Sequence, residues 1–210
     1  MSLLATGSAL VGENVDWPLE RTLYSYLVEW AQITSHHVAV IDIHGEEITY
    51  EMLLNRVNNR AYLLEKKHAF GRVVISEHSR GIECLVDILA CSAVGAIYTP
   101  IDPQWPEARR KHIKTITNAA AIFTENTSHV TEAKAPLGVT FLERVDDPFN
   151  TPSYCFFTSG STGEPKGALI AHMGMMNHLH SKAHLRPLGD ESVVAQTAPP
   201  TFDVSIWQFC

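Results

Sequence analysis

FFTSGSTGEPKGALIAH, residues 156–172, sets hydroxyls, glycines and one lysine between two apolar runs. Glycine tolerates positive φ and close backbone approach, so successive N–H groups in such a stretch can converge on an anion. Thr158, Ser159, Ser161 and Thr162 add hydroxyl donors, and Lys166 adds a mobile positive charge. These are the groups needed to hold a polyphosphate. Apolar YCFF before the loop and GALIAH after it read as strands, so the loop is expected to join strand to strand.

Outward from the loop, strands alternate with helices. After a leader, residues 1–18, RTLYSYLVEWAQI has apolar residues at helical spacing. HVAVIDIHGEEITY reads as two short strands joined by a tight turn at His44-Gly45, and EMLLNRVNNRAYLLEKK as a helix. RVVIS, AIYTPID and AAAIFTE are buried-strand patterns separated by the helical stretches IECLVDILACSAV and PEARRKHIKTITN. Pro106 opens the second of these helices at a favourable first position. NTSHVTEAKAPLG reads as a polar loop, residues 144–153 as a break, residues from about Met173 as a helix and SVVAQT as a further strand. This alternation implies βαβ crossovers, hence an α/β fold with a mostly parallel sheet and flanking helices. Strands buried on both faces account for continuous apolar runs instead of strict alternation.

The composition narrows the partners. The 210 residues are 45% hydrophobic, as in a globular chain, and 16 basic against 23 acidic residues leave a formal charge of −7. No global basic field would draw nucleic acid or an anionic membrane, so neither is expected as a partner. Cys84, Cys91, Cys155 and Cys210 form no CxxC pair and read as buried thiols of a reducing compartment. The opening residues lack a basic n-region, and CLVDILACSAVGAIY is too short and too interrupted to span a bilayer, so a cytoplasmic location is expected.

A Walker A loop, GxxxxGK[ST], is the first rival reading. Counting from Gly160, Pro165 occupies the second glycine's place and Gly167 replaces the final Ser or Thr. The pattern fails. A plain surface hairpin is the other rival, because Gly, Ser and Thr dominate turns. Ten such residues in this order between two apolar strands favour the anion reading.

The order TSGSTGEPKG resembles the phosphate-loop signature of the adenylate-forming (ANL) superfamily, which includes acyl-CoA synthetases, firefly-type luciferases and the adenylation domains of nonribosomal peptide synthetases. GEEITYEML, residues 45–53, resembles an early segment of that family. LACSAVGAIYTPIDPQWP, residues 89–106, is similar to its L-K-A-G-x-x-Y-V-P-L-D-P segment, without the usual lysine. FDVSIWQF, residues 202–209, resembles the FDxS motif of amino-acid adenylation domains in particular. The resemblance implies that residues 19–210 form an incomplete portion of the large N-terminal domain of an adenylate-forming enzyme. The chain stops inside what reads as a helix, which agrees with that expectation.

What the resemblance implies chemically is ATP-dependent activation of an amino-acid carboxylate as an aminoacyl-adenylate, with release of pyrophosphate. Thr158, Ser159, Gly160, Ser161, Thr162 and Gly163 are implied to wrap the β- and γ-phosphates, and Lys166, as the catalytic residue, to steady the departing pyrophosphate. Asp203 is implied to pair with the substrate α-ammonium, Val204 and Trp207 to line the side-chain pocket, and Phe202 to lie beside them. ATP with Mg²⁺ is implied, the metal's ligands falling largely outside this chain, as are the remainder of the domain and a carrier-protein domain. The alternative is a truncated, non-catalytic paralogue that binds a nucleotide or a partner. Asp203 also has a plainer reading as a helix N-cap, with Phe202 and Trp207 at hydrophobic-staple spacing. His178, His180 and His184 cluster without a Cys or Asp to complete a metal site, so no metal is assigned to them. Cys84 and Cys91 are expected in the core, His36, His37 and His172 as structural or solvated, and Arg109 to Lys114 as a solvated helix face.

Overall fold

Thr22 stops one chain segment and starts another: its hydroxyl accepts from the Ser25 N–H while the Ser25 hydroxyl accepts from the Thr22 N–H. This reciprocal cap opens α1 (Leu23–Ile33), whose Leu23, Tyr24, Leu27 and Ala31 face inward. The computed structural model describes residues 4–6, 9–11, 18, 21–126, 134–136, 139–141, 147–159, 164–189 and 192–209. Near its start, β1 (Leu4–Thr6) and β2 (Ala9–Val11) pair antiparallel. Then β3 (Val38–Ile41) and β4 (Glu47–Thr49) form the expected hairpin, turning through Gly45 at φ +81°. Thr49 caps α2 (Tyr50–Lys66), which buries Leu53, Val57, Ala61 and Leu64 along one stripe.

The main sheet follows from β5 (Val73–Glu77), β6 (Ile97–Pro100), β7 (Ala121–Thr124), β8 (Pro152–Ser159) and β9 (Pro165–Ala171). Its order is β7-β5-β6-β8-β9, with the first four strands parallel and β9 antiparallel to β8. Between β5 and β6 runs α3 (Ile82–Val94), buried on nearly every side and ended by Gly95 at φ +66°, where left-handed backbone favours glycine. Between β6 and β7 runs α4 (Glu107–Thr117). Pro106 stands one place earlier than expected, as the N-cap, with extended ψ of 137°.

Helices cover both faces. One core joins α1, α2 and α3 to Tyr98, Tyr154 and Phe156, and takes in Met175 and Met176 of α5 (His172–Leu185). The other packs Ile113 of α4 against Ile75, Ile97, Ile101, Cys155 and Phe157. Successive β8 residues therefore serve opposite cores, as strand geometry demands.

One expected strand is absent. Residues 192–197 form no ladder, and Val193 is 87% exposed. The apolar pattern is present, but no described strand lies beside it to accept its backbone hydrogen bonds, and without a partner the chain stays irregular. Most of the predicted polar loop and residues 144–146 of the predicted break lie outside the described residues; residues 148–150 form a turn.

Candidate functional site

The loop is the tip of the β8–β9 ribbon. Register places Thr158 opposite Lys166 and Ser159 opposite Pro165, so strand joins strand as the sequence implied. The Thr158 hydroxyl lies 3.5 Å from the Lys166 carbonyl, and both side chains are exposed. Opposed residues on an antiparallel ribbon share a face, about 5 Å apart at Cβ. The mouth of the loop thus sets a threonine and a lysine side chain on one face of the ribbon. Gly160, Ser161, Thr162 and Gly163 lie outside the described residues, as does the Ser159 side chain.

Gly167 is required for a packing reason. A Cβ there would stand 2.9 Å from Cys155 Sγ and 3.1 Å from the Phe157 ring. Gly167→Ala is expected to push Phe157 out of its core at a cost of ~1–3 kcal/mol, read as a lowered urea midpoint. An unchanged midpoint would show that the ribbon yields there freely.

Alongside the ribbon, α4 is not the solvated face its charges suggested. The Arg110 and Lys114 nitrogens both lie 2.5 Å from the Glu77 carboxylate at the end of β5. Burial pushes Glu77 up, but Lys114 and Arg110 together hold its carboxyl below the usual range. The Arg109 guanidinium stacks 3.9 Å over Trp105 and points Nη2 at the Phe157 carbonyl, 3.4 Å away. His112 Nε2 lies 3.1 Å from Glu164 Oε2, within the loop segment itself. Sequence reasoning missed Arg109 and His112 as site neighbours, since nothing in RRKHIK names partners some 50 residues on.

The other candidates lie together in chain order, at residues 202–207. Asp203 begins a 3-10 turn, Asp203–Ser205, that leads into α6 (Ile206–Phe209). Phe202, not Asp203, is the N-cap of that turn, because Asp203 already has helical geometry; its Oδ1 instead accepts the Val204 N–H at 2.8 Å. Burial pushes the Tyr154 phenol up to about 12, and the negative charge of Asp203 adds to the shift. Tyr154 and Thr158 are four residues apart on β8, hence on one face and ~13 Å apart along the strand. Phe202 and Val204 are exposed, while Trp207 is half-buried below the Lys182 ammonium, 5.7 Å from its ring centre.

The histidines separate by environment. His172 is buried and reaches the Arg21 carbonyl at 3.0 Å, and His180 lies 3.2 Å from the Tyr26 hydroxyl. His178 and His184 are exposed. Among the described residues no three His, Cys, Asp or Glu are placed to hold a metal. Burial pushes the Cys84 thiol to about 12 and Cys155 to about 11, which leaves both as inert core thiols. Among the described residues no helix is long and apolar enough to cross a membrane.

Residues 27–210 match the family model of the AMP-binding enzymes. This chain belongs to that family. The chain is 31% identical over 202 residues to vanchrobactin synthetase VabF of Vibrio anguillarum, covering 90% of itself and 7% of that protein. It is 32% identical over 213 residues to tyrocidine synthase 3 of Brevibacillus parabrevis, covering 91% of itself and 3% of the relative. It therefore spans a small fraction of the curated relatives it matches. In fold it resembles the N-terminal subdomain of Klebsiella oxytoca NpsA bound to 3-hydroxyanthranilyl-AMSN, with TM-score 0.74 and 23% identity over 89% of this chain and 49% of that one. The nonribosomal peptide synthetase FmoA3 superposes with TM-score 0.76 at 22% identity, over 90% of this chain and 21% of that one. The chain thus has the fold of part of the N-terminal subdomain of adenylate-forming enzymes.

Proposed function

We propose that this chain carries the triphosphate-holding part of an amino-acid adenylating ligase. In the reaction, a carboxylate oxygen bonds to the α-phosphorus of ATP as the α-phosphorus bond to the bridging oxygen breaks, and pyrophosphate leaves with that electron pair. The protein's contribution is to position the groups and neutralise developing charge. The observation that carries this reading is the ribbon's register, which sets Lys166 against Thr158 at the mouth of a glycine–hydroxyl loop. Thr158, Ser159, Gly160, Ser161, Thr162 and Gly163 would donate to the β- and γ-phosphates, and Lys166 would meet the charge of the leaving pyrophosphate. Mg²⁺ would accompany the nucleotide, and a carrier-protein domain would take the activated product.

Asp203 supports an amino acid over a plain acid. Its negative charge is felt at Tyr154, which lies on the same strand, β8, as Thr158. Val204 and Trp207, with Phe202 near the nucleotide side, would border the substrate side chain. Losing the carboxylate partner of a desolvated ammonium costs ~2–5 kcal/mol. The test is amino-acid-dependent exchange of pyrophosphate into ATP, on the chain alone and on the chain joined to the rest of an adenylation domain. Asp203→Ala is expected to cut exchange by roughly 30-fold or more at fixed amino acid. Exchange driven equally by the acid lacking its amino group would overturn the amino-acid reading. A folded chain that never exchanges, even when completed, would favour the non-catalytic paralogue.

A further inference from the structure

The loop has a tether that its own sequence does not reveal. Glu164 is the last loop residue before β9, and its carboxylate meets His112 Nε2 at 3.1 Å. His112 stands three residues after Arg109, so both project from one side of α4. Arg109 reaches the Phe157 carbonyl just before the ribbon enters the loop, and its Nε has no hydrogen-bond partner among the described residues. Arg110 and Lys114 fix α4 in turn to Glu77 at the end of β5. A continuous chain of contacts runs from the sheet through α4 to both ends of the loop.

We infer that His112 is a positioning residue that holds the exit of the phosphate loop against α4 through Glu164. The inference rests on the phosphate-loop reading for its functional meaning, but the tether is testable without ATP. His112 can hold the carboxylate either as an imidazolium or as a neutral ring donating its Nε2–H. Both side chains are substantially exposed, at 39% and 70%, so the pair adds little to global stability. Its effect is expected locally, where Glu164 joins the loop to β9.

The experiment is amide hydrogen exchange over residues 156–168 in the whole chain, comparing His112→Ala, Glu164→Ala, the double variant and His112→Gln. Each alanine variant is expected to speed exchange there by about two- to fivefold, with the urea midpoint unmoved. The double variant should be no faster than either single one, since each removes the same contact. His112→Gln keeps an N–H donor and should restore most of the protection. Unchanged exchange in both single variants, or additive acceleration in the double one, would overturn the tether. ATP titration separates the two readings: weaker binding in the alanine variants supports both. Absence of ATP binding in the wild type, with coupled exchange intact, removes the phosphate reading and leaves the tether.

Discussion

Lys166→Ala is expected to weaken ATP binding by about 10- to 150-fold while leaving the urea midpoint where it was. The size follows from one charge-assisted hydrogen bond to a phosphate, ~1.5–3 kcal/mol. The selectivity follows from position. Lys166 is exposed at the mouth of the loop, opposite exposed Thr158, and contributes to neither core. Truncation beyond its Cβ therefore leaves the ribbon ladder intact. Lys166→Arg should recover part of the loss, because the charge returns but a planar fork replaces a compact ammonium. A titration that shows wild-type affinity for Lys166→Ala would return the ribbon tip to an ordinary surface hairpin. A fallen urea midpoint would mean that the lysine supports the fold and not the ligand.

Much of this arrangement is legible in the sequence because it depends on local rules. Continuous apolar runs at Val73–Glu77 and Ile97–Pro100 mark strands covered on both faces, and the helical stretches between them force parallel crossovers. The loop is legible for the same reason: its glycines, hydroxyls and lysine are consecutive, and the apolar runs on either side make its flanks strands. What escapes depends on partners distant in sequence. SVVAQT has a strand's composition, yet a ladder needs a neighbour that no local pattern supplies. RRKHIK reads as a solvated run until Glu77 and Glu164 are brought to it by the sheet. The cap falls on Phe202, one residue before the expected Asp203, since a 3-10 turn and an α-helix share the same preference for acidic residues near their start. Gly167 reads as a signature residue, but its necessity is the proximity of Cys155 and Phe157 across the ribbon.

The largest stability effect is expected away from the loop, at Asp87. This carboxylate is fully buried in α3, where it meets the Arg60 guanidinium, accepts the Ser76 hydroxyl at 2.7 Å and lies 3.2 Å from His78 Nε2. Arg60 also reaches Glu83 at 2.6 Å and stacks 4.2 Å over Phe123. Asp87→Ala removes the buried counter-charge and leaves the guanidinium in the core with one partly exposed partner. Such a break costs ~3–5 kcal/mol, a large share of the ~5–15 kcal/mol that holds a domain folded. Burial and the Arg60 charge hold His78 below its ordinary value of 6.5, which favours the neutral ring in the native state. The unfolded chain then binds the extra proton, and this contribution to stability is present above pH ~6.5 and lost as pH falls below it. The decisive comparison is Asp87→Ala against the double variant Arg60→Met with Asp87→Leu. Apolar replacement of a whole buried pair is often neutral or stabilising, so the double variant should unfold at a clearly higher urea concentration than the single one. If the double variant is as unstable as Asp87→Ala, the penalty comes from packing and Ser76, not from a stranded charge. If it recovers, the contact between α2 and α3 beneath β5 is held by complementarity of charge that apolar shape can replace. The same end of β5 carries Glu77, which anchors α4, and α4 reaches the loop through His112. A loss of stability at Asp87 should then also loosen the loop, whereas Lys166→Ala, which acts on the ligand alone, should not.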